Sequence, residues 1–332
     1  MYRDYKNKIN KKIISEALSV YFENANFAYE KIEAGYENAS FYIVLNGHKY
    51  VLRIYNAFQY GVHPRDEGNI LTELDFIEFC GEKNIPVPKI HKTVNGNFYT
   101  KVLINGTAHF AILTDFIEGN QVKKLSLKQV ENIAEIQAKM HLTAIEYGTK
   151  KIRRVAGPFG VHKWIKSELK KYKPSENKKD LIKHAIDVID FLGTKINPST
   201  IKKYPPILIH GDLHCENLKF IGDKISGVFD FDDVKKSIAA DDIGSFLMEI
   251  LKTGDSKQLR EKAITYFDRY KKIRPISNDE IELSIYFAAR RRLVFKLLEF
   301  MGIWEDRKTD TIQNFRKVLE QVRRIIDLAK SI

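Results

Sequence analysis

Cysteine is scarce: Cys80 and Cys215 are the only two in 332 residues. A pair so widely spaced makes no disulfide framework and no four-ligand zinc site of the usual spacing. No apolar run reaches the roughly 18 residues that a membrane helix needs. The opening "MYRDYKNKINKK" lacks the apolar segment of a secretory signal. A cytoplasmic protein with no membrane partner is the expectation. The cations lack a long block. A net charge of +12 would suit an anionic partner, yet the lysines come as scattered doublets, Lys123-Lys124, Lys170-Lys171, Lys202-Lys203 and Lys235-Lys236. The densest spots are "KKIRR" at 150–154 and "RRR" at 290–292, without recurring aromatics between cations. Nucleic acid is therefore not the expected partner. Internal repeats and low-complexity tracts are lacking too.

What is present describes a two-part globular chain. Hydrophobic residues at 44% and charged residues at 30% are ordinary for such a protein, and the length favours two domains. Segments 27–34, 40–45 and 50–55 are rich in aromatic and β-branched residues and are separated by "GYEN" and "NGH", which predicts strands joined by turns. A helix is predicted over 66–82, stopped by "IPVP", since proline cannot continue it. Strands follow near 89–94, 98–103 and 108–116. Beyond "IEGN" helical periodicity dominates, at 126–145, 161–172, 177–193, 240–252, 256–272, 278–300 and 309–330. Strands interrupt it at 206–210, 217–220 and 225–231. The expected fold is α+β, a small strand-rich lobe over 1–118 and a larger helical lobe over 119–332.

The chemistry is concentrated in "LIHGDLHCENLKF", residues 208–220. A dinuclear metal hydrolase would use His210, Asp212, His214 and Glu216, but it needs a further Asp-bearing turn and an Asn-His pair that the chain does not offer. Phosphoryl transfer uses more of the residues. Protein-kinase catalytic loops read His-Arg-Asp-Leu-x-x-x-Asn, with Asp as base and Asn on a metal ion. Here His210-Gly211-Asp212-Leu213-x-x-x-Asn217 keeps each spacing and differs by one residue, Gly for Arg. Such a loop aims Asp212 at an attacking hydroxyl while Asn217 turns back towards Mg²⁺. A second hard oxygen ligand is needed, and Asp230, thirteen residues after Asn217 at the end of the strand "ISGVF", supplies it.

With "ISGVFDFDD" and "ADDIGSFL" downstream, this segment resembles that of the aminoglycoside phosphotransferase / choline kinase-like family, whose fold is protein-kinase-like. "IAEIQAKMH" (133–141), "GYENASFYIV" (35–44) and "TELDFIEFCGEKNIPVPKI" (72–90) resemble that family's preceding helix, nucleotide loop, and N-lobe helix and strand. The similarity runs over roughly 27–300 and leans towards the branch with type II homoserine kinase, spore-coat-associated kinase-like proteins and a bacterial stress-response kinase. The resemblance implies Asp212 as catalytic base and Asn217 and Asp230 as Mg²⁺ ligands. It implies Arg53 as the N-lobe cation with Glu73 as its partner, and backbone of Asp115–Ile117 at the adenine. It also implies His210 and Asp242 as braces of the catalytic loop. His214, Cys215 and Glu216 are expected to shape that loop without entering the chemistry.

Two departures from protein kinases stand out. "EAGYENAS" has the single glycine Gly35, so Asn38 and Ser40 are expected to complete the phosphate cradle. Position 53 carries a planar guanidinium where lysine is commoner. A third shortage bears on the acceptor. Only eleven residues, Phe231–Asp241, separate Asp230 from Asp242, too few for a peptide-binding activation segment. A small hydroxylated acceptor is expected, with ATP as donor and GTP not excluded. Glu216, Asp232 and Asp233 are candidates to attract an amine, and Arg290 or Arg291 to hold a carboxylate. A protein kinase of the stress-response type and a nucleotide-binding scaffold without turnover stay open as alternatives.

Overall fold

A computed structural model describes residues 4–23, 26–33, 37–59, 63–148, 158–303 and 311–332. The chain divides into two compact units. One comprises the residues up to Gly119 together with Ser226–Phe229, the other Asn120–Ile225 and Asp230–Ile332.

Alternation builds the sheet of the first unit. In β2 (Ala39–Leu45), Ala39, Phe41, Ile43 and Leu45 are buried while the residues between them are half-exposed. β1 (Phe27–Ile32) and β3 (His48–Ile54) flank it antiparallel. Asn46 and Gly47 join β2 to β3 with φ of 52° and 78°, the two positive values that a tight Asn-Gly hairpin requires. After the short β4 (Phe58–Gln59) and β5 (His63–Pro64) comes α2 (Glu67–Glu82), capped by the Asp66 side chain on Gly68 N. β6 (Ile90–His91), β7 (Thr100–Ile104) and β8 (Thr107–Asp115) complete the order β1-β2-β3-β8-β6, with β7 also on β8. One helix was not expected. α1 (Lys11–Ser19) lays Ile14, Ala17 and Leu18 into the core made by Phe41, Ile43, Leu52, Ile54 and Leu113. At nine residues it is too short to hold alone, and packing rather than propensity makes it a helix.

The second unit is mainly helical. Its elements are α3 (Leu127–Tyr147), α4 (Pro158–Lys171), α5 (Lys179–Lys195), α6 (Pro198–Ile201), β9 (Ile207–Ile209), β10 (Leu218–Ile221), β11 (Lys224–Val228), β12 (Lys235–Ser237), α7 (Ala239–Leu251), α8 (Ser256–Lys271), α9 (Asn278–Phe300) and α10 (Ile312–Ala329). β11 ends in the segment that belongs to the first unit. α9 packs against α5, α7 and α10 and is buried on most sides, polar Glu280, Ser284, Arg290 and Glu299 included. α10 is the opposite case: Phe315, Val318, Leu319, Val322 and Ile326 fall on one stripe. Short β12, reading Lys-Lys-Ser, was not anticipated; it exists because β9 lies beside it. Among the described residues no helix is long and apolar enough to cross a membrane.

Candidate active site

Three buried residues, Ile207–Ile209, make β9, and its ladder with β12 decides where the polar loop falls. Ile209 faces Lys235 and Ile207 faces Ser237. The loop that leaves β9 at His210 therefore lies beside the turn that enters β12, a 3₁₀ turn over Phe231–Asp233 opened by Asp230. Gly211 makes the closest approach. At its φ of 82° a Cβ would sit 3.1 Å from the Asp233 carbonyl carbon and nearer still to the oxygen. Only glycine fits, which is the physical reason why arginine is missing from this position. Asp230 itself adopts left-handed φ and ψ of 68° and 60°, which turns the chain sharply after the strand.

Beneath the loop lies a buried polar network. Asp242, in the first turn of α7, accepts from Gly211 N at 2.7 Å. Its other oxygen meets His141 Nε2 at 2.9 Å and Gln137 Nε2 at 3.0 Å, both on α3. Tyr270 on α8 closes on His141 Nδ1 at 2.6 Å, and Tyr266 donates to Gln137 Oε1 at 2.6 Å. Burial alone would push the Asp242 carboxyl up. The His141 hydrogen bond and charge, with His210 and Gln137, outweigh it and hold the group well below the usual carboxylate range. His210 accepts from Asp212 N at 3.3 Å and its ring tilts over Phe231, 4.6 Å between centroids.

At the rim, the Asp212 carboxylate is shared by two cationic or protic neighbours. His214 Nε2 stands 3.3 Å from Oδ2, and the Arg291 guanidinium, reaching from α9, pairs with Oδ1 and donates to the Gly211 carbonyl at 3.0 Å. Glu216 N donates to His214 Nδ1 at 3.2 Å, which leaves Nε2 on the side of Asp212. Burial would raise the Asp212 carboxyl, but the His214 bond and the Arg291 charge prevail and leave it depressed. Asn217 Nδ2 donates to the Asp212 carbonyl at 2.9 Å. That bond turns Oδ1 the other way, and an amide oxygen suits a hard cation such as Mg²⁺.

The remaining expected residues fall into two groups. In the second unit, the Glu216 side chain is exposed while its carbonyl accepts from Gln121 Nε2 at 2.5 Å. Asp232 and Asp233 are half-buried in the turn. Arg290 or Arg291 was expected to hold a carboxylate, and of the two Arg290 is the one directed into the interior. It is 6% exposed, stacks over Phe287 at 4.7 Å, and burial lowers its pKa to about 10 despite the charge of Asp241. A helix turns about 100° per residue, so Arg291, one position on, is the arginine that reaches Asp212. In the first unit, Arg53 and Glu73 converge on one ring. The Arg53 guanidinium lies 5.2 Å from the Tyr55 centroid, and Tyr55 donates to Glu73 Oε1 at 2.7 Å. Buried Asn38 accepts from Asn56 N at 3.0 Å, with Arg65 also nearby, so its side chain holds this corner of the unit. Ser40 faces Arg53 across β2 and β3. Asp115 N and Phe116 N bond to Lys89 O and Lys49 O, and Ile117 lies across Gly227. Gly35 lies outside the described residues.

Sequence reasoning missed the pairing of Arg291 with Asp212, the contact of His214 with the same carboxylate, and Tyr55 and Arg65. For His214 a signal existed, namely a histidine two residues past the candidate base. For Arg291 there was none, because adjacent arginines on a helix look alike in sequence.

The profile described as "Phosphotransferase enzyme family" (APH) matches residues 28–276. A homoserine kinase of Bradyrhizobium sp. (strain ORS 278) is 22% identical over 304 residues, covering 87% of this chain and 85% of that protein. Among solved structures, the amicoumacin kinase hAmiN in complex with AMP-PNP, Ca²⁺ and Ami superposes with a TM-score of 0.73 at 19% identity, covering 98% of this chain and 96% of that one. A microcompartment-associated aminopropanol kinase gives 0.70 at 18% identity, covering 97% of each chain. The fold is the two-lobed, protein-kinase-like α+β arrangement, with a small antiparallel sheet in one lobe and mainly helices in the other.

Proposed function

The chain belongs to the phosphotransferase enzyme family, and from that premise we propose that it moves the γ-phosphoryl group of ATP to the hydroxyl of a small amino alcohol in the cytoplasm. The observation that carries the reading is the Asp212 carboxylate, held at the rim of a loop whose backbone is pinned by buried Asp242. In the transfer the acceptor oxygen bonds to the γ-phosphorus while the bond from that phosphorus to the bridging oxygen breaks. ADP leaves with the electron pair, and the hydroxyl proton passes to Asp212 and on to solvent. A carboxylate depressed by His214 and Arg291 is a weak base, so its main work is to orient the hydroxyl. Asn217 through Oδ1 and Asp230 through its carboxylate are hard oxygen donors of the kind a divalent metal takes, and we assign them Mg²⁺, which would neutralise charge on the phosphates when bound.

The first unit takes the nucleotide in this reading. Arg53 presents a planar fork to phosphate oxygens, with Tyr55 and Glu73 setting its position. Ser40 lies beside it, and the strand end at Asp115–Ile117 offers backbone to adenine. The acceptor belongs to the second unit. Homoserine kinases and an aminopropanol kinase among the similar proteins support an acceptor with both amine and hydroxyl. The stretch Phe231–Asp241 is taken up by the 3₁₀ turn, β12 and the start of α7, which leaves no free segment for a peptide. That weighs against the protein-kinase alternative. Purified protein incubated with MgATP and a panel of homoserine, choline, amino sugars and aminoglycosides, followed by phosphorus NMR, tests the proposal. A phosphomonoester is expected with at least one acceptor. In Asp212→Ala it should fall by about 10²-fold or more, while nucleotide titration stays intact. Equal turnover in the mutant, or no product with any acceptor, rejects the assignment.

A further inference from the structure

Three consecutive arginines sit on α9, a helix buried on most sides, and each leaves it in a different direction. Arg290 stacks on Phe287 in the interior. Arg292 donates to Gln321 of α10 at 3.0 Å. Arg291 meets the catalytic loop, bridging the Asp212 carboxylate and the Gly211 carbonyl through its two terminal nitrogens. Its Nε is buried and has no hydrogen-bond partner. A guanidinium that served only to brace the loop would be expected to satisfy that donor as well. The side chain keeps 18% exposure, and its two terminal nitrogens carry N–H groups beyond the two already engaged.

Taking Asp212 as the group that orients the hydroxyl, we propose that Arg291 is a specificity-determining residue that selects acceptors carrying a carboxylate close to the hydroxyl. The acceptor's carboxylate binds the outward N–H groups of the guanidinium fork, the geometry that arginine matches best. Its hydroxyl then falls on Asp212, which lies one hydrogen bond from the same guanidinium. The two acceptor groups must be near neighbours, joined by on the order of three or four carbon atoms at about 1.5 Å per bond. Short hydroxylated amino acids satisfy this. Uncharged or purely cationic alcohols bring no partner for Arg291 and leave its charge on Asp212.

The test compares two acceptors that differ by the carboxylate alone, homoserine and 3-aminopropan-1-ol. Wild-type protein should favour homoserine in kcat/KM. In Arg291→Gln the ratio of the two kcat/KM values should fall by about 10-fold or more, the worth of a charged hydrogen bond, and Arg291→Lys should restore part of it. Because the ratio is taken within one preparation, a loss of folded protein does not mimic the effect. A ratio unchanged in Arg291→Gln, or a wild-type preference for aminopropanol, overturns the inference and leaves phosphoryl transfer standing. If no acceptor is turned over, the proposed function fails, and calorimetric titration of homoserine then decides the inference by itself. Binding at least 10-fold weaker in Arg291→Gln supports it, and equal binding or none in wild type overturns it.

Discussion

Asp212 and Asp242 are carboxylates on either side of the same loop, both held ionised, and they are held in different ways. Asp242 is fully buried, and its partners are the loop's own backbone, His141 and Gln137, each locked in turn by Tyr270 or Tyr266. Asp212 is partly open, and two of its neighbours, His214 and Arg291, are side chains at the rim. A buried network of this kind stands or falls as a whole, because each member left alone would be an unsatisfied polar group. Pairs at a rim contribute less to stability, since water competes for both partners. The difference separates holding the loop from using it: one carboxylate fixes geometry, and the other has neighbours that a ligand can replace.

This contrast breaks most visibly in stability. Asp242→Ala should cost about 3–5 kcal/mol, since it strands His141 and the Gly211 amide in the interior, whereas Asp212→Ala should cost no more than about 1 kcal/mol. Urea unfolding of both variants measures this, and similar losses would mean that the two carboxylates are held alike. Next in size is Gly211→Ala. A side chain there faces both a positive φ and the Asp233 carbonyl, so about 1–3 kcal/mol of stability is expected to go. Phosphotransfer should fall with it, as the loop is pushed off the turn that begins at Asp230. A variant with wild-type melting temperature and turnover would mean that the close approach is dispensable. The smallest effect is in acid. The folded Asp242 pKa lies below the unfolded value of about 3.9, so its contribution is fully present above that value and is lost as pH falls through the folded one. Wild type should therefore lose stability below about pH 4 more steeply than Asp242→Asn, narrowing the gap between them. Parallel curves from urea melts between pH 3 and 7 would show that Asp242 is not depressed.

How far the sequence carried depends on what each feature needs. Turn chemistry is local, so the Asn46-Gly47 hairpin and the helix stop at "IPVP" were legible. The spacing from His210 to Asn217 was legible for the same reason, since one short loop contains it. Other features depend on partners distant in sequence. β12 is three residues long with two lysines and becomes a strand only because β9 lies beside it. α1 holds its place through three residues packed on a sheet made later in the chain. In sequence the "RRR" run is only a dense spot of positive charge; in the structure Arg290 is interior and Arg291 and Arg292 are partly buried, each with its own neighbour. Charge counted along a sequence carries no direction, and direction decides which arginine meets Asp212.

The segment Ser226–Phe229 has a consequence for taking the protein apart. Its Val228 amide donates to the Pro86 carbonyl at 2.7 Å and its Ser226 hydroxyl to the Glu118 carbonyl at 2.6 Å, while a Cβ on Gly227 would meet Ile117 at 2.5 Å. A fragment ending at Gly119 would lack these four residues and leave both carbonyls without those donors. The complementary fragment would carry an orphaned apolar stretch in mid-chain. No single cleavage yields both halves whole, so the two units have to be inherited, expressed and folded as one piece.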